Sequence, residues 1–137
     1  MELSDKARAV SRMQRYIAEH LNEDITLDAV ANAAGYSKYH ALRIFRELTG
    51  RMLFETIRAL RLTKAAQALQ SPGAKVVDVA MSNGFDSHDG FTRAFTRQFG
   101  ITPQRYHMET PPVNWFVHYP IEACYILKEG GIEPVLN

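Results

Sequence analysis

Two arginines of this 137-residue chain stand in matching surroundings. Arg43 and Arg93 each lie two positions before a phenylalanine and seven positions before a glycine. A guanidinium presents a fixed fork of N–H donors, which fits the O6 and N7 acceptors of guanine in the major groove. Hydroxyl, imidazole and aromatic groups at neighbouring positions can meet other base edges or phosphates. The repeated pattern therefore predicts two polar surfaces that form hydrogen bonds with nucleic acid.

The first surface lies on a helix that ends before Gly50. Its outward side carries Lys38, Tyr39, Leu42, Arg43 and Arg46. Arg43 is the predicted base reader, and Tyr39 is suited to packing on a base or donating to a phosphate. Leu42 is apolar but lies on the outward side, where packing in the core does not explain it. Its predicted contact is therefore a thymine methyl group. Lys38 and Arg46 are suited to phosphates.

The second surface repeats this layout at a near-constant offset, with less favourable chemistry. Its predicted contact residues are Ser87, His88, Asp89, Thr92 and Arg93. Arg93 is again the predicted base reader. Asp89 can accept a hydrogen bond from cytosine N4 but repels phosphate, and Gly90 lowers helix stability. We expect the second surface to bind less tightly, or to contact fewer bases, than the first.

A helix-turn-helix is predicted to hold each surface, at residues 27–50 and 76–100. Gly35 and Gly84 form the turns, because glycine adopts the left-handed conformation without a steric penalty. Ser37 and Ser87 cap the second helix of each pair. On the opposite side of each second helix, which is predicted to face the core, residues recur at helical spacing. They are Ala41, Ile44, Phe45 and Leu48 in the first pair, and Phe91, Ala94, Phe95 and Gln98 in the second.

Three further helices complete a predicted all-α fold: a first helix, a short last helix and a helix that links the two units. A first helix covers about residues 5–22, with Ser4 as its cap and an apolar stripe formed by Val10, Met13, Ile17 and Leu21. Thr26 or Asp28 starts the helix after it. A short helix begins at Thr102, because Pro103 suits a first helical position.

A linking helix is predicted over about residues 54–69, between the two helix-turn-helix units. Its predicted buried stripe consists of Ile57, Leu60, Ala65 and Leu69. Its predicted basic flank consists of Arg58, Arg61 and Lys64. A linker of roughly 16 residues, at a rise of ~1.5 Å per residue, would allow the two reading helices to sit about one DNA turn, ~34 Å, apart.

The charge of the chain is distributed unevenly. The net charge is +1, yet residues 1–110 hold 15 of the 16 basic and 12 of the 15 acidic residues, a net of +3. No apolar run approaches the ~20 residues of a membrane span, and the polar N-terminus has no apolar signal core. The sequence therefore predicts a cytoplasmic protein without membrane contact. The single Cys124 excludes an internal disulfide.

The character of the sequence changes at Pro111. Residues 1–110 are predicted as one domain, and residues 111–137 as a strand-like tail rich in aromatic and β-branched side chains. An isolated hairpin is marginal in water. The tail therefore either packs on the helical domain or begins a second, effector-binding domain, and we favour the second interpretation.

Over about residues 7–107, the chain resembles the DNA-binding domain of the AraC/XylS family of bacterial transcription regulators. In the first half the matching motifs are Leu27-x-x-Val30-Ala31, Ala34-Gly35-Tyr36-Ser37, Leu42-Arg43-x-Phe45-Arg46, Arg61-Leu62, Ala65-Ala66 and Leu69. In the second half they are Val79-Ala80, Gly84-Phe85, Phe91-Thr92-Arg93-x-Phe95, Phe99-Gly100, Thr102-Pro103 and Tyr106-His107. The resemblance implies a seven-helix, two-lobed domain joined by a long helix. It also implies binding of double-stranded DNA and activation through contact with RNA polymerase.

The chain departs from the family pattern on both surfaces. Tyr39 and Leu42 stand where members of the family commonly have Trp and Gln. His88 and Asp89 stand where two Gln residues are frequent, and His107 stands where Arg is usual. The target sequence is therefore not carried over. Some members place a small-molecule-binding domain after the DNA-binding domain, so an effector is expected only if a larger C-terminal domain exists.

The resulting prediction is a sequence-specific regulator, an activator, that inserts two recognition helices into adjacent major-groove segments. The alternative is a protein-interaction module, whose contact patch consists of Trp115, Phe116, Tyr119 and Tyr125. Packing of those rings on the helical core is the simpler interpretation. An enzyme, a cofactor or a metal is not expected, because the five histidines show no metal-ligand spacing and no phosphate loop or nucleophile motif is present.

Overall fold

All the regular secondary structure of the described chain is helical. A computed structural model describes residues 4–117 and 120–121. Over these residues there are seven α-helices and no strand. The helices are α1 (Asp5–Glu19), α2 (Leu27–Ala34), α3 (Lys38–Thr49), α4 (Leu53–Ala68), α5 (Val76–Ser82), α6 (His88–Phe99) and α7 (Pro103–Glu109). The predicted all-α fold is confirmed. None of these seven helices combines the length and the apolar character that a bilayer span requires.

Side-chain caps determine where most of these helices begin. The capping residues are Ser4, Thr26, Ser37, Ser87 and Thr102. In each case the hydroxyl oxygen accepts a hydrogen bond from the backbone N–H three residues later, at 3.0–3.3 Å. Such a bond satisfies one of the N–H groups that lack a partner at a helix start. The predicted caps are confirmed, and Thr26 rather than Asp28 caps α2.

The first compact unit comprises residues 4–21, 25–56 and 120–121 of the described chain. In this unit α1 packs against α2 and α3. Its fully buried side chains include Val10, Met13, Ile17, Val30, Ala41 and Phe45. Leu21 and Leu48, which were predicted on the buried stripes, are half-buried. The backs of α1 and α3 therefore form one apolar core.

The second compact unit comprises residues 22–24 and 57–117. Aromatic rings fill its core: the centroid of Phe95 lies 5.6 Å from that of Phe91, 4.7 Å from Phe99 and 5.8 Å from Tyr106. Tilted ring pairs at such distances contribute about 0.5–1.5 kcal/mol beyond their buried area. Ala94 and Gln98, predicted on the back of α6, are half-buried.

The linking helix α4 agrees with its predicted bounds to within one residue at each end. Its buried face differs from the predicted stripe. Ala65 is buried as expected, but Leu60 is half-buried, and Leu62 and Ala66 are buried instead. The chain passes from the first unit to the second within this helix. Because α4 contributes side chains to both units, its buried residues do not lie on one apolar stripe.

Residues 111–117 have no regular secondary structure. The strand prediction is therefore wrong for that stretch, and for residues 122–137 it lies outside the described chain. The ring of Trp115 makes edge contacts with Phe99 and Tyr106, at centroid distances of 6.2 and 6.4 Å. This part of the tail is held by ring packing on the second unit, so it needs no partner strand.

Backbone hydrogen bonds also fix the described part of the tail. The N–H of Phe116 donates to Oγ1 of Thr63 at 2.9 Å, and the N–H of Ile121 donates to Oε1 of Gln14 at 2.9 Å. Thr63 and Gln14 are buried, so these bonds occupy polar atoms that water does not reach. A further domain beyond residue 121 stays a prediction.

Replacing Phe95 with alanine should lower the free energy of unfolding by about 3–5 kcal/mol. The reason is that Phe95 is fully buried and contacts three aromatic rings. Urea denaturation followed by fluorescence of the single tryptophan measures the change. Met108→Ala, at a position that is 74% exposed, is the matched control and should change it by less than about 0.5 kcal/mol. Equal effects of the two substitutions would contradict this core.

Candidate nucleic-acid interface

The turn between α2 and α3 orients the first surface. Gly35 adopts the left-handed conformation, with φ of 76°, and its N–H donates to the Ala31 carbonyl at 2.9 Å. Ser37 then accepts from the N–H of His40 at 3.3 Å and starts α3. The predicted turn and cap are confirmed at this site, so local sequence signals set the direction of α3.

A guanidinium from α1 holds the same turn. Arg12 donates from Nε to the Ala33 carbonyl at 3.0 Å and from Nη2 to the Ala34 carbonyl at 2.8 Å. These carbonyls are at the end of α2, where no intrahelical partner is present. The sequence shows only that Arg12 lies off the apolar stripe of α1. Its partners are 21 and 22 residues away, so helical spacing does not reveal them.

The outward face of α3 carries the five side chains predicted for the first surface. Lys38, Tyr39, Leu42, Arg43 and Arg46 are all exposed. Tyr39 is 72% exposed, and the guanidinium carbon of Arg43 lies 5.9 Å from the centroid of its ring. That distance is within the range of a cation–π contact. Tyr39 therefore supports the guanidinium that is predicted to read a base.

The cations of the first surface differ in their partners. Nζ of Lys38 lies 2.9 Å from Oδ1 of Asp28, and both side chains are exposed. An exposed ion pair contributes about 0–1 kcal/mol, so a phosphate can displace Asp28. Among the residues that the structure describes, Arg43 and Arg46 have no carboxylate partner. Both guanidiniums are thus available to an anion or a base edge.

The cap of α6 lies against the glycine in its first turn. Oγ of Ser87 accepts from the N–H of Gly90 at 3.0 Å. A Cβ at position 90 would lie 2.9 Å from that Oγ, so the serine side chain would have to shift. The other four side-chain caps bond in the same way to residues that carry a Cβ, so the cap does not require a glycine. Gly90 lowers the intrinsic stability of the helix, as the sequence indicates.

The second surface presents fewer polar groups than predicted. His88, Asp89 and Arg93 are exposed, and Nδ1 of His88 lies 4.0 Å from Oδ1 of Asp89. Thr92 is half-buried, and its Oγ1 is inaccessible to solvent without a hydrogen-bond partner in the described chain. Thr96 shares this environment. Thr92 is therefore less available for its predicted contact with DNA, because this side of α6 is partly covered.

In the second unit, Arg61 lies beside the turn glycine Gly84, as Arg12 lies beside Gly35 in the first. It donates to the Glu23 carbonyl at 2.6 Å, and a Cβ on Gly84 would lie 3.5 Å from its Nη1. Gly84 has a φ of 84° at the turn before α6. Lys64 also has an intramolecular partner, Oδ1 of Asn22. Two of the three cations on the predicted basic flank therefore bind within their own unit.

Comparison with known proteins identifies the family. A helix-turn-helix domain family matches residues 30–109, which include both surfaces. The right origin-binding protein of Escherichia coli K12 is 41% identical over 102 residues. The transcriptional activator AarP of Providencia stuartii is 34% identical over 105 residues, which are 77% of this chain and 78% of AarP. The chain belongs to the AraC/XylS family.

The matches cover different shares of this chain and of its relatives. The chain is covered to 74% by the right origin-binding protein but spans only 35% of the length of that relative. The DNA-binding domain of AdpA, a global transcriptional factor solved in complex with a target DNA, has a TM-score of 0.66 and 28% identity, covering 73% of this chain and 90% of that one. Residues 30–109 thus form an AraC-type helix-turn-helix domain.

Replacing Arg12 with alanine should lower the free energy of unfolding by about 1–2 kcal/mol, because two carbonyls at the end of α2 lose their charged donor. Urea denaturation measures this change. Arg8→Ala is the matched control on the same helix. Arg8 is exposed, and among the described residues its side chain pairs only with Asp5, so its loss should cost less than about 0.5 kcal/mol. Equal stability of the two variants would show that Arg12 does not hold the turn.

Proposed function

We propose that the chain is a sequence-specific DNA-binding regulator that uses α3 and α6 as recognition helices in adjacent segments of the major groove. The observation that carries the proposal is the arginine on the exposed face of each helix, behind which a phenylalanine is buried: Arg43 with Phe45, and Arg93 with Phe95. A helix ~10–12 Å across fits a major groove ~12 Å wide. The apolar back holds the helix, and the arginine faces the bases.

The first surface has the fuller set of contacts. Arg43 reads guanine through O6 and N7, with Tyr39 beside it. Leu42 is 37% exposed and meets the methyl group of a thymine. Lys38 and Arg46 bind phosphates on either side and fix the register of the helix. Because phosphate contacts carry no sequence information, specificity at this surface rests on Arg43, Leu42 and Tyr39.

The second surface contributes fewer contacts. Arg93 is its base reader, while Ser87 and His88 lie at the start of α6, where N–H groups face a phosphate. Asp89 accepts from a cytosine amino group if it meets a base, and it opposes phosphate otherwise. Thr92 contributes least, since its hydroxyl is inaccessible to solvent. The first surface therefore determines most of the affinity.

The role in transcription is proposed from the relatives. AarP is a transcriptional activator by name, and the AdpA domain is solved with a target DNA. We infer that this chain also activates transcription in the cytoplasm, through contact with RNA polymerase near its site. A small-molecule effector domain belongs to this proposal only if the protein is longer at its C-terminus.

The alternative function, a protein-interaction module built on the aromatic tail, has less support. The ring of Trp115 packs on Phe99 and Tyr106, and the backbone of Phe116 is bonded to Thr63. Tyr119 and Tyr125 lie outside the described residues. The Trp115 ring and the Phe116 backbone are thus engaged within their own unit.

Arg43→Ala and Arg93→Ala should each weaken binding to a preferred site by roughly 1–3 kcal/mol and relax preference at one base pair. The site is first selected from random duplex DNA, and fluorescence anisotropy then gives the dissociation constants for it and for its single-base variants. Arg8→Ala, an exposed arginine outside both surfaces, is the control and should bind as the unmodified chain does. Unchanged binding by both reading-helix variants would contradict the assignment.

Binding should also weaken steeply with salt, by a slope of roughly −0.9 in log K against log salt for each phosphate contact. Lys38→Ala and Arg46→Ala should each reduce that slope by about 1 and lower affinity evenly across sequences. Anisotropy titrations at several salt concentrations measure the slope. Binding that is insensitive to salt would favour the aromatic interaction module instead.

A further inference from the structure

A groove of about 350 Å³ lies beside the first surface, within the first unit. One wall is the outward side of α3, with Leu42, Arg43 and Arg46. The other wall is the segment that opens α4, with Met52 and Phe54. Met52 and Phe54 were assigned to neither reading surface, so the groove reaches beyond the residues proposed to contact DNA.

Three apolar side chains of this groove are exposed to solvent and lie together. Leu42 is 37% exposed, Met52 50% and Phe54 48%. Contiguous exposed apolar surface in a folded protein marks a binding site more often than isolated exposed residues do. Leu53, which lies between the last two, is buried and forms the floor. Leu53 therefore anchors the start of α4, while Met52 and Phe54 on either side of it face the open groove.

The charges around the groove are mostly positive. The guanidiniums of Arg43 and Arg46 line it, and neither has a carboxylate partner among the described residues. Glu55 is the one acidic side chain of the lining. A guanidinium binds a carboxylate through two parallel N–H···O bonds. The combination of an apolar wall and unpaired guanidiniums is complementary to a molecule with an apolar body and a negative end.

The size of the groove favours a small molecule. Ligand pockets in proteins range over roughly 300–1,000 Å³ and are lined mainly by apolar side chains with a few polar groups. A thymine methyl group fills only a small part of such a volume. Base edges in the major groove therefore meet Leu42 and Arg43 without using the space against Met52 and Phe54.

We propose that this groove binds an amphipathic organic anion, with an aromatic or aliphatic body against Phe54 and Met52 and one carboxylate on Arg43 and Arg46. A ligand there covers Arg43, so it competes with DNA for α3; this second step rests on the proposed function. By linkage, a ligand that excludes DNA raises the apparent dissociation constant of DNA by about tenfold when its concentration is ten times its own dissociation constant. The DNA-binding domain would then respond to a small molecule without a further domain.

The first test titrates naphthoate into the full chain in the absence of DNA, by calorimetry. We expect saturable binding to one site, and naphthamide, its neutral counterpart, should bind at least about tenfold more weakly because a charge-assisted contact is lost. Phe54→Ala should weaken naphthoate binding at least about tenfold, since one wall of apolar surface is removed. Met81→Ala, an exposed methionine in the second unit, is the matched control and should leave naphthoate binding unchanged.

Several results would overturn the ligand site. They are the absence of saturation, equal binding of naphthoate and naphthamide, and equal loss in Phe54→Ala and Met81→Ala. Far-ultraviolet circular dichroism checks that Phe54→Ala is folded. If it is not, Met52→Ala tests the same wall with the same expected loss.

The second test measures DNA binding as naphthoate is added. The dissociation constant for the selected site should rise with naphthoate in the unmodified chain and stay constant in Phe54→Ala. Saturable naphthoate binding with unchanged DNA affinity would overturn the competition. The proposed function is tested separately: a chain that binds no selected DNA without naphthoate contradicts that function, whereas the titration without DNA still decides the groove.

Discussion

The burial of a phenylalanine two residues after Arg43 and after Arg93, the two proposed base readers, is the constraint on which the two surfaces depend. Two residues in an α-helix are about 200° apart around the axis. With Phe45 and Phe95 fully buried, Arg43 and Arg93 must therefore point away from the core. Ser37 and Ser87 fix where each helix starts, and hence which residues fall in its first turn. Packing and capping therefore set the direction in which the arginines of the two surfaces point.

In the first unit, a second arginine stabilises the turn before α3. Arg12 binds the carbonyls at the end of α2. Carbonyls at a helix end lack intrahelical partners, so a charged donor there removes an energetic cost. In the second unit, Arg61 lies against Gly84 before α6 and donates to the Glu23 carbonyl. Both units therefore place an arginine beside the turn glycine.

The first surface combines two properties that a DNA-reading helix does not need together. Its guanidiniums suit phosphate and guanine, while Met52 and Phe54 extend an apolar wall beyond them. Phosphate contacts do not explain exposed apolar side chains at these two positions. Because contiguous exposed apolar surface marks binding sites, this wall beside Arg43 and Arg46 supports a second occupant. If that occupant is a small anion, the same arginines take part in both complexes, and exclusion follows from shared atoms without a conformational change.

The sequence by itself determined the seven helices, the caps, the left-handed turns and the outward faces of α3 and much of α6. All of these follow from local spacing, since each cap or stripe involves residues within one or two helical turns. Tertiary structure alone decided the partners of Arg12, Arg61 and Lys64, the face that α4 buries, and the covering of Thr92. It also decided that residues 111–117 form no strand and that Trp115 packs on Phe99 and Tyr106. Those outcomes depend on contacts between residues far apart in the chain, which periodicity and composition do not encode.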